Sequence, residues 1–170
     1  VDFQRHLKSL SRRGVLLGIA SKNQEETALE ALRSHPDMVL RPEDFAGWRI
    51  DWQDKAANIV DLVQELNLGL ESVVFIDDQQ QERERVRNAL PDVMVPDWPS
   101  NPLMHVSALL DLRCFDQPAI TSEDMRRVES YSAERNRASH MEDIPSLEAW
   151  LDSLDITVKI SSLNSSNIKR

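Results

Sequence analysis

At 170 residues the chain fits one domain, with room for an appendage, and can bury roughly 70% of its unfolded surface. A net charge of −9 argues against a general nucleic-acid binder, whose phosphate contacts need Lys and Arg, while 41% hydrophobic and 29% charged residues are ordinary for a soluble globular protein. The single cysteine, Cys114, excludes an internal disulfide framework and a Cys-based zinc site and suits a reducing cytoplasm, and no apolar run approaches the roughly 20 residues of a membrane span.

The chain opens directly on a helix pattern, with Phe3, Leu7 and Leu10 at helical spacing and Arg12-Arg13-Gly14 closing it. An opening at Val1-Asp2 reads as the middle of a larger protein. Gly14 to Ala20 then reads as a buried strand. Gln24 to Ser34 reads as a helix with Ala28, Leu29 and Leu32 inward, and Asn23 and Glu26 fit a capping box. Phe45 to Ile50 is a short strand. Asp54 to Leu66 is a helix carrying Ala56, Ile59, Val60 and Val63 on one face, with Asp51 and Asp54 at N-cap and N3 spacing. Ser72 to Ile76 is the second strong strand, Gln79 to Leu90 a helix, and Val93 to Val95 a short strand. Four prolines (Pro96, Pro99, Pro102 and Pro118) flank one short helix pattern, Leu103 to Leu112, which closes the α/β unit. Thr121 to Arg137 is a charged helix with Thr121 and Asp124 at capping-box spacing. Pro145 opens a last helix, with Leu147, Trp150, Leu151 and Leu154 on one face, and Asp155 to Ile160 alternates like a strand. Alternating β and α segments of this length predict a parallel sheet covered by helices. Residues 1–118 form that core, and residues 119–170 form a helical linker and the first strand of a following domain.

The chemistry concentrates where strands end. In VVFIDDQQQER an apolar run stops at two adjacent carboxylates, Asp77 and Asp78. In parallel α/β sheets ligands sit outside the carboxyl ends of strands. Paired acids there repel each other, and a divalent cation such as Mg²⁺, which takes one or two carboxylates plus phosphate oxygens and water, compensates them. The alternative is that the acids favour the positive N-terminal end of the next helix, which explains one aspartate better than two. Ser21 follows the first strand at the same edge and can donate to a phosphate oxygen, with Lys22 and Asn23 adding donors; helix capping is the ordinary use of such a serine. Lys55, in the first turn of its helix, opposes the helix dipole by a few tenths of a kcal/mol. A phosphoryl group and the acid pair would offset that cost; a pair with Asp54 or plain solvation are the alternatives. Glu82, one turn beyond Asp78, could orient metal waters or Lys55, or simply face solvent. The four histidines show no metal-ligand spacing, Cys114 reads as a small packed residue, and the four tryptophans read as packing.

A serine after the first strand, a lysine at a helix start, then a strand ending in acids resembles the order of motifs two, three and four of the haloacid dehalogenase (HAD) superfamily of phosphotransferases. GVLLGIASKN, FAGWRIDWQDKAANI, SVVFIDDQQQERERVRNALPDVMVPDWP, TSEDMRRVESYSAERNR and LEAWLDSLDITVKI resemble the FkbH-like branch, HAD subfamily IIIC. The resemblance covers nearly the whole chain. It implies a HAD-like, Rossmann-like α/β fold with a C-terminal helical extension. It implies a Mg²⁺-dependent phosphatase or phosphotransferase of polyketide biosynthesis that dephosphorylates 1,3-bisphosphoglycerate and loads the glyceryl unit onto an acyl carrier protein. Carried over, Ser21 binds the transferring phosphoryl group with Lys22 and Asn23 beside it, Lys55 neutralises charge on that group and on the nucleophile, and Asp78 is the Mg²⁺ ligand with Asp77 beside it. Two departures stand out. The family usually continues the acid pair with Asn-Pro, where this chain has Gln79-Gln80, and its first motif, DxDxT, is absent. That motif carries the aspartyl nucleophile, and its strand belongs upstream of Val1, between the strands at Gly14–Ala20 and Ser72–Ile76. This chain alone is therefore expected to lack turnover. A catalytically inert HAD-like domain that docks a carrier protein or synthase is the second reading. A receiver domain is a third, although there the acids come early and the lysine late.

Overall fold

The computed structural model describes residues 1–116 and 119–142. The chain divides into two units, Val1–Arg135 and Asn136–Arg170. Of the second, only the last turns of one helix fall among the described residues. The helix expected after Pro145 and the strand expected at Asp155–Ile160 lie outside them.

Helix α1 (Asp2–Arg12) ends as its residues dictate. The Gly14 N–H bonds the Ser11 carbonyl at 2.9 Å and the Val15 N–H bonds the Leu10 carbonyl at 3.2 Å, with Gly14 at φ +92°. This left-handed glycine ending satisfies carbonyls that the helix leaves unpaired. Strand β1 (Gly18–Ser21) begins later than the apolar run suggested and runs one residue further. Helix α2 (Glu25–Ser34) follows. Its N-cap is Gln24, with no side-chain cap, so the Asn23–Glu26 box is not made; Asn23 Oδ1 accepts the Gln24 N–H instead. Strand β2 (Gly47–Ile50) pairs in parallel with β1, Gly18 opposite Gly47 and Ser21 opposite Ile50. Helix α3 (Lys55–Glu65), helix α4 (Gln80–Ala89), helix α5 (His105–Leu110) and helix α6 (Ser122–Glu142) complete the order. At the start of α6 the expected capping box forms. Asp124 Oδ2 accepts the Thr121 N–H at 2.9 Å, and Thr121 Oγ1 accepts the Asp124 N–H at 3.1 Å.

The sheet is smaller than the alternation predicted. Among the described residues β1 and β2 are the two regular strands. The stretches expected as strands at Ser72–Ile76 and Val93–Val95 are extended but joined by one parallel bridge, Val74 with Met94. The Phe75 N–H bonds the Met94 carbonyl at 2.9 Å, and the Met94 N–H bonds the Val73 carbonyl at 3.0 Å. A regular strand needs a ladder along its length, and Val73–Ile76 makes a single bridge. No described segment lies between it and β1.

The apolar residues sort into two clusters. Leu17, Leu29, Leu32, Leu40, Phe45 and Ile50 form one, with Leu7 and Ile19 packed against it. Ala56, Ile59, Val63, Phe75, Val86 and Val93 form the other, with Ala20 packed against it. Ile19 and Ala20 thus serve opposite faces of one strand, as a period of two requires. Leu62 of α3 explains the two glycines at the head of the ladder. A β-carbon at Gly18 would lie 3.0 Å from Leu62 Cδ2, and one at Gly47 would lie 2.6 Å from Leu62 Cδ1. The missing side chains let the helix seat a leucine on the pair. Trp98 packs with Phe3 and His105, as expected of a packing tryptophan. Trp52 does not: it is 76% exposed. Cys114 is exposed as well, on a turn at Arg113–Phe115 rather than in the core.

Candidate functional site

The site is built where β1, β2 and the Val73–Ile76 segment give way to loops and helix starts. Lys55 is the first residue of α3 and is buried, and Lys55 Nζ donates to Asp77 Oδ2 at 2.5 Å. Both side chains are more than nine-tenths buried, at 8% and 7% exposure. A buried ammonium and carboxylate are tolerable only when paired and hydrogen-bonded. The second oxygen of Asp77 is also used: Oδ1 accepts the Gln79 N–H at 2.9 Å. Asp77 therefore spends both oxygens on protein donors. Its neighbour Asp78 is exposed and shares the same turn. Asp78 is thus the carboxylate turned outward, and Asp77 the one that anchors Lys55.

Arg83 fixes this turn from below. It is buried, and Arg83 Nη1 donates to the Asp77 carbonyl at 2.8 Å and to the Asp78 carbonyl at 3.1 Å. These oxygens have left the sheet, and the guanidinium satisfies them both. Arg83 carried no role in the reading of the sequence; its spacing of six and five residues from Asp77 and Asp78 is the signal that could have found it.

The start of α3 departs from the predicted capping. Asp54, not Asp51, is the N-cap, and its side chain makes no cap hydrogen bond. Its carboxylate instead accepts from Arg85 Nη2 at 2.7 Å and Nε at 3.3 Å. That hydrogen bond holds the Asp54 carboxyl below the usual range. Asp51 Oδ1 accepts from Asn58 Nδ2 at 2.7 Å and from the Gln53 N–H at 2.8 Å, which lowers its pKa too. Asn58 is among the most buried side chains. Strand end, loop and helix start are tied together around Lys55.

Ser21 closes β1 half-buried, and its carbonyl accepts the Asp51 N–H at 3.0 Å. This bond places Ser21 beside the loop that leads to Lys55. Lys22 and Asn23 follow on the exposed turn. Lys22 Nζ reaches Glu82 Oε1 at 2.6 Å. Glu82 is therefore neither solvated nor directed at Lys55: its side chain is 13% exposed and pairs with Lys22. Its other oxygen, Oε2, is buried without a protein hydrogen bond. Ser21 at the end of β1, Lys22 and Asn23 in the turn after it, Lys55 at the start of α3, and Asp77 and Asp78 in the turn before α4 thus lie at one end of the sheet, and direct bonds join Lys55 to Asp77 and Lys22 to Glu82. Among the described residues, no group of three or more His, Cys, Asp or Glu side chains is assembled for a metal. No helix there is long and apolar enough to cross a membrane.

No protein-family model and no curated protein matches the chain. One solved structure does. It is the N-terminal part of the protein BF1531 from Bacteroides fragilis, containing a phosphatase domain complexed with Mg. The likeness has a TM-score of 0.67 and 37% sequence identity; it covers 69% of this chain and 31% of that one. The chain thus spans about a third of the structure it matches. Helices packed on a small parallel sheet, with acids where an extended segment ends, give this chain a fold similar to that of a phosphatase domain.

Proposed function

We propose that this chain is the Mg²⁺-dependent phosphoryl-transfer part of an FkbH-like HAD enzyme, acting on 1,3-bisphosphoglycerate and passing the glyceryl unit to an acyl carrier protein. The observation that carries the reading is the buried Lys55–Asp77 pair, with Asp78 turned outward in the same turn, on a chain 37% identical to one containing a Mg-complexed phosphatase domain.

The residues fit the ion. Mg²⁺ demands few protein ligands, one or two carboxylates, and keeps water and phosphate oxygens for the rest. Asp78 has a free carboxylate for that role, whereas Asp77 is engaged by Lys55 and Gln79. When bound, Mg²⁺ neutralises charge on a transferring phosphoryl group. The chain's own residues do the remainder. Ser21, Lys22 and Asn23 offer donors to the phosphoryl oxygens at the end of β1. Asp77 holds the Lys55 ammonium in place, so its charge needs no reorientation as charge develops on the phosphoryl group. Arg83 fixes the carbonyls of the turn and so the direction of Asp78.

A Mg²⁺ titration of the chain followed by calorimetry tests the reading. Asp78→Ala is expected to weaken binding at least tenfold, and unchanged binding would remove Asp78 from the site. With a generic phosphate ester or 1,3-bisphosphoglycerate the chain is expected to release no phosphate, because it contains no DxDxT motif. Release that survives Lys55→Ala combined with Asp78→Ala would show that the residues are wrongly assigned.

A second reading is an inert domain that docks an acyl carrier protein or synthase. Retention on an immobilised carrier protein with no Mg²⁺ binding would decide for it.

A further inference from the structure

Among the described residues Trp52 is the one exposed Trp, Tyr or Phe side chain, at 76%. It stands in the turn between β2 and α3. An exposed apolar residue by itself needs no explanation. This one differs in the rigidity of its turn and in its place in the fold.

The turn is pinned on both sides of Trp52. The Asp51 N–H donates to the Ser21 carbonyl at 3.0 Å. Asp51 Oδ1 accepts the Gln53 N–H at 2.8 Å, which closes a ring across residue 52, and accepts from Asn58 Nδ2 at 2.7 Å. Asn58 is 1% exposed, so the turn is tied to the interior face of α3. Asp54 is held by Arg85 at 2.7 Å. The backbone at Trp52 is thus fixed while its side chain stays in water. A preorganised aromatic loses little conformational entropy when it packs on a ligand. Its place is the carboxyl end of the sheet, where ligands of parallel α/β sheets lie. It is one residue past the bond to Ser21 and three before Lys55. The flanking carboxylates are already spent, Asp51 on Asn58 and Gln53 and Asp54 on Arg85. Beside the phosphoryl donors, this turn therefore offers an uncharged aromatic surface.

We propose that Trp52 is a specificity-determining residue of this site: its indole packs against the organic group to which the bound phosphoryl is joined. The ligand that matches has two parts. Its anionic head meets the donors of Ser21 and Lys22, and an uncharged, planar or apolar group follows directly on the phosphorus–oxygen bond. Large rigid aromatics at the centre of a contact carry much of its binding energy, and an indole supplies that area without asking for a charge in return. Free phosphate has nothing to set against the ring. The inference rests on the phosphoryl-binding reading above and adds the residue that chooses among phosphorylated ligands.

The test uses the 170-residue chain, labelled with ¹⁵N, in the presence of Mg²⁺. It is titrated separately with inorganic phosphate and with phenyl phosphate, and NMR follows the backbone amides and the indole N–H groups. Both ligands are expected to shift the Ser21 and Lys22 amides. Phenyl phosphate alone is expected to shift the Trp52 indole, while the Trp98 indole, packed with Phe3 and His105, stays still. Phenyl phosphate is expected to bind about three- to tenfold more tightly than phosphate, the range of one aromatic pair. Trp52→Ala is expected to bring the two affinities together, and Trp52→Phe to keep part of the difference. A difference that persists in Trp52→Ala would overturn the specificity role and leave the phosphoryl site standing. So would phenyl phosphate that shifts Ser21 and Lys22 without moving the Trp52 indole. If neither ligand shifts Ser21 or Lys22, the phosphoryl site itself is wrong and the specificity role falls with it. A Trp52 indole signal that moves with protein concentration in the absence of ligand would overturn the role in favour of contact with a second copy.

Discussion

Lys55 occupies a position where a helix disfavours a cation. The first residues of α3 present N–H groups with partial positive charge, at a cost of a few tenths of a kcal/mol. Asp77 supplies the compensating charge at 2.5 Å, with both side chains buried. Removing one member strands the other. Lys55→Met is expected to destabilise the chain by about 3–5 kcal/mol, and Lys55→Met with Asp77→Leu to recover most of that, since an apolar pair leaves no buried charge. Urea unfolding of the two variants checks this; a single-variant loss below about 1 kcal/mol would place the pair in solvent. Asp54 sets a pH dependence. Its hydrogen bond from Arg85 lowers its folded pKa. A carboxyl depressed in the folded state adds stability above its unfolded value of about 3.9, and that increment is lost as pH falls through the folded value. The stability advantage of the native chain over Asp54→Asn is therefore expected to be constant above about pH 5 and to shrink on acidification below about pH 4. An advantage that grows on acidification would reverse the sign and refute the assignment.

At the level of elements, α3 is held to the sheet by one leucine over two glycines. Leu62→Ala is expected to cost about 2–5 kcal/mol as a buried large-to-small change. Gly47→Ala forces Leu62 aside, because the new carbon would lie 2.6 Å from Cδ1. The two changes together are expected to cost less than their sum, since the shorter side chain makes room for the methyl group. A double-mutant cycle by urea unfolding measures this, and strict additivity would mean that Leu62 does not seat on Gly47. The end of α1 rests on Gly14 for a different reason. Its φ of +92° excludes side chains at little cost only for glycine, and a β-carbon would also meet Asp124 at 2.9 Å. Gly14→Ala is expected to cost at least about 1 kcal/mol. An unchanged unfolding midpoint would show that the turn relaxes freely.

For the whole molecule, the relevant quantities are charge and the split sheet. At −9 the chain repels itself, and screening is nearly complete beyond about 10 Å at 0.1 M salt. Raising NaCl from low to moderate concentration is expected to raise the urea midpoint. A fall would mean that the ion pairs at Lys22–Glu82 and Asp54–Arg85 outweigh the net repulsion. How much of this was legible in the sequence depends on the range of the interaction responsible. The helices at α1, α3, α4 and α6, the glycine ending at Gly14 and the Thr121–Asp124 box depend on spacings within a turn or two, so the pattern of residues determines them. That Ser21 and Lys55 stand at a strand end and a helix start, and that Asp77 and Asp78 follow an extended apolar run, was also legible, since these are local features. What the residues could not state is which groups meet. The Lys55–Asp77 bond spans 22 positions and Lys22–Glu82 spans 60. Asp54 turned from its own helix to Arg85, and Arg83 was drawn inward by two carbonyls. Strand regularity belongs to this second class. Val73–Ile76 carries every local mark of a central strand, yet a ladder requires consecutive paired residues, and tertiary placement supplies a single bridge, Val74 with Met94. Local preference chose the backbone shape; only the approach of distant segments decided which of its hydrogen bonds could form.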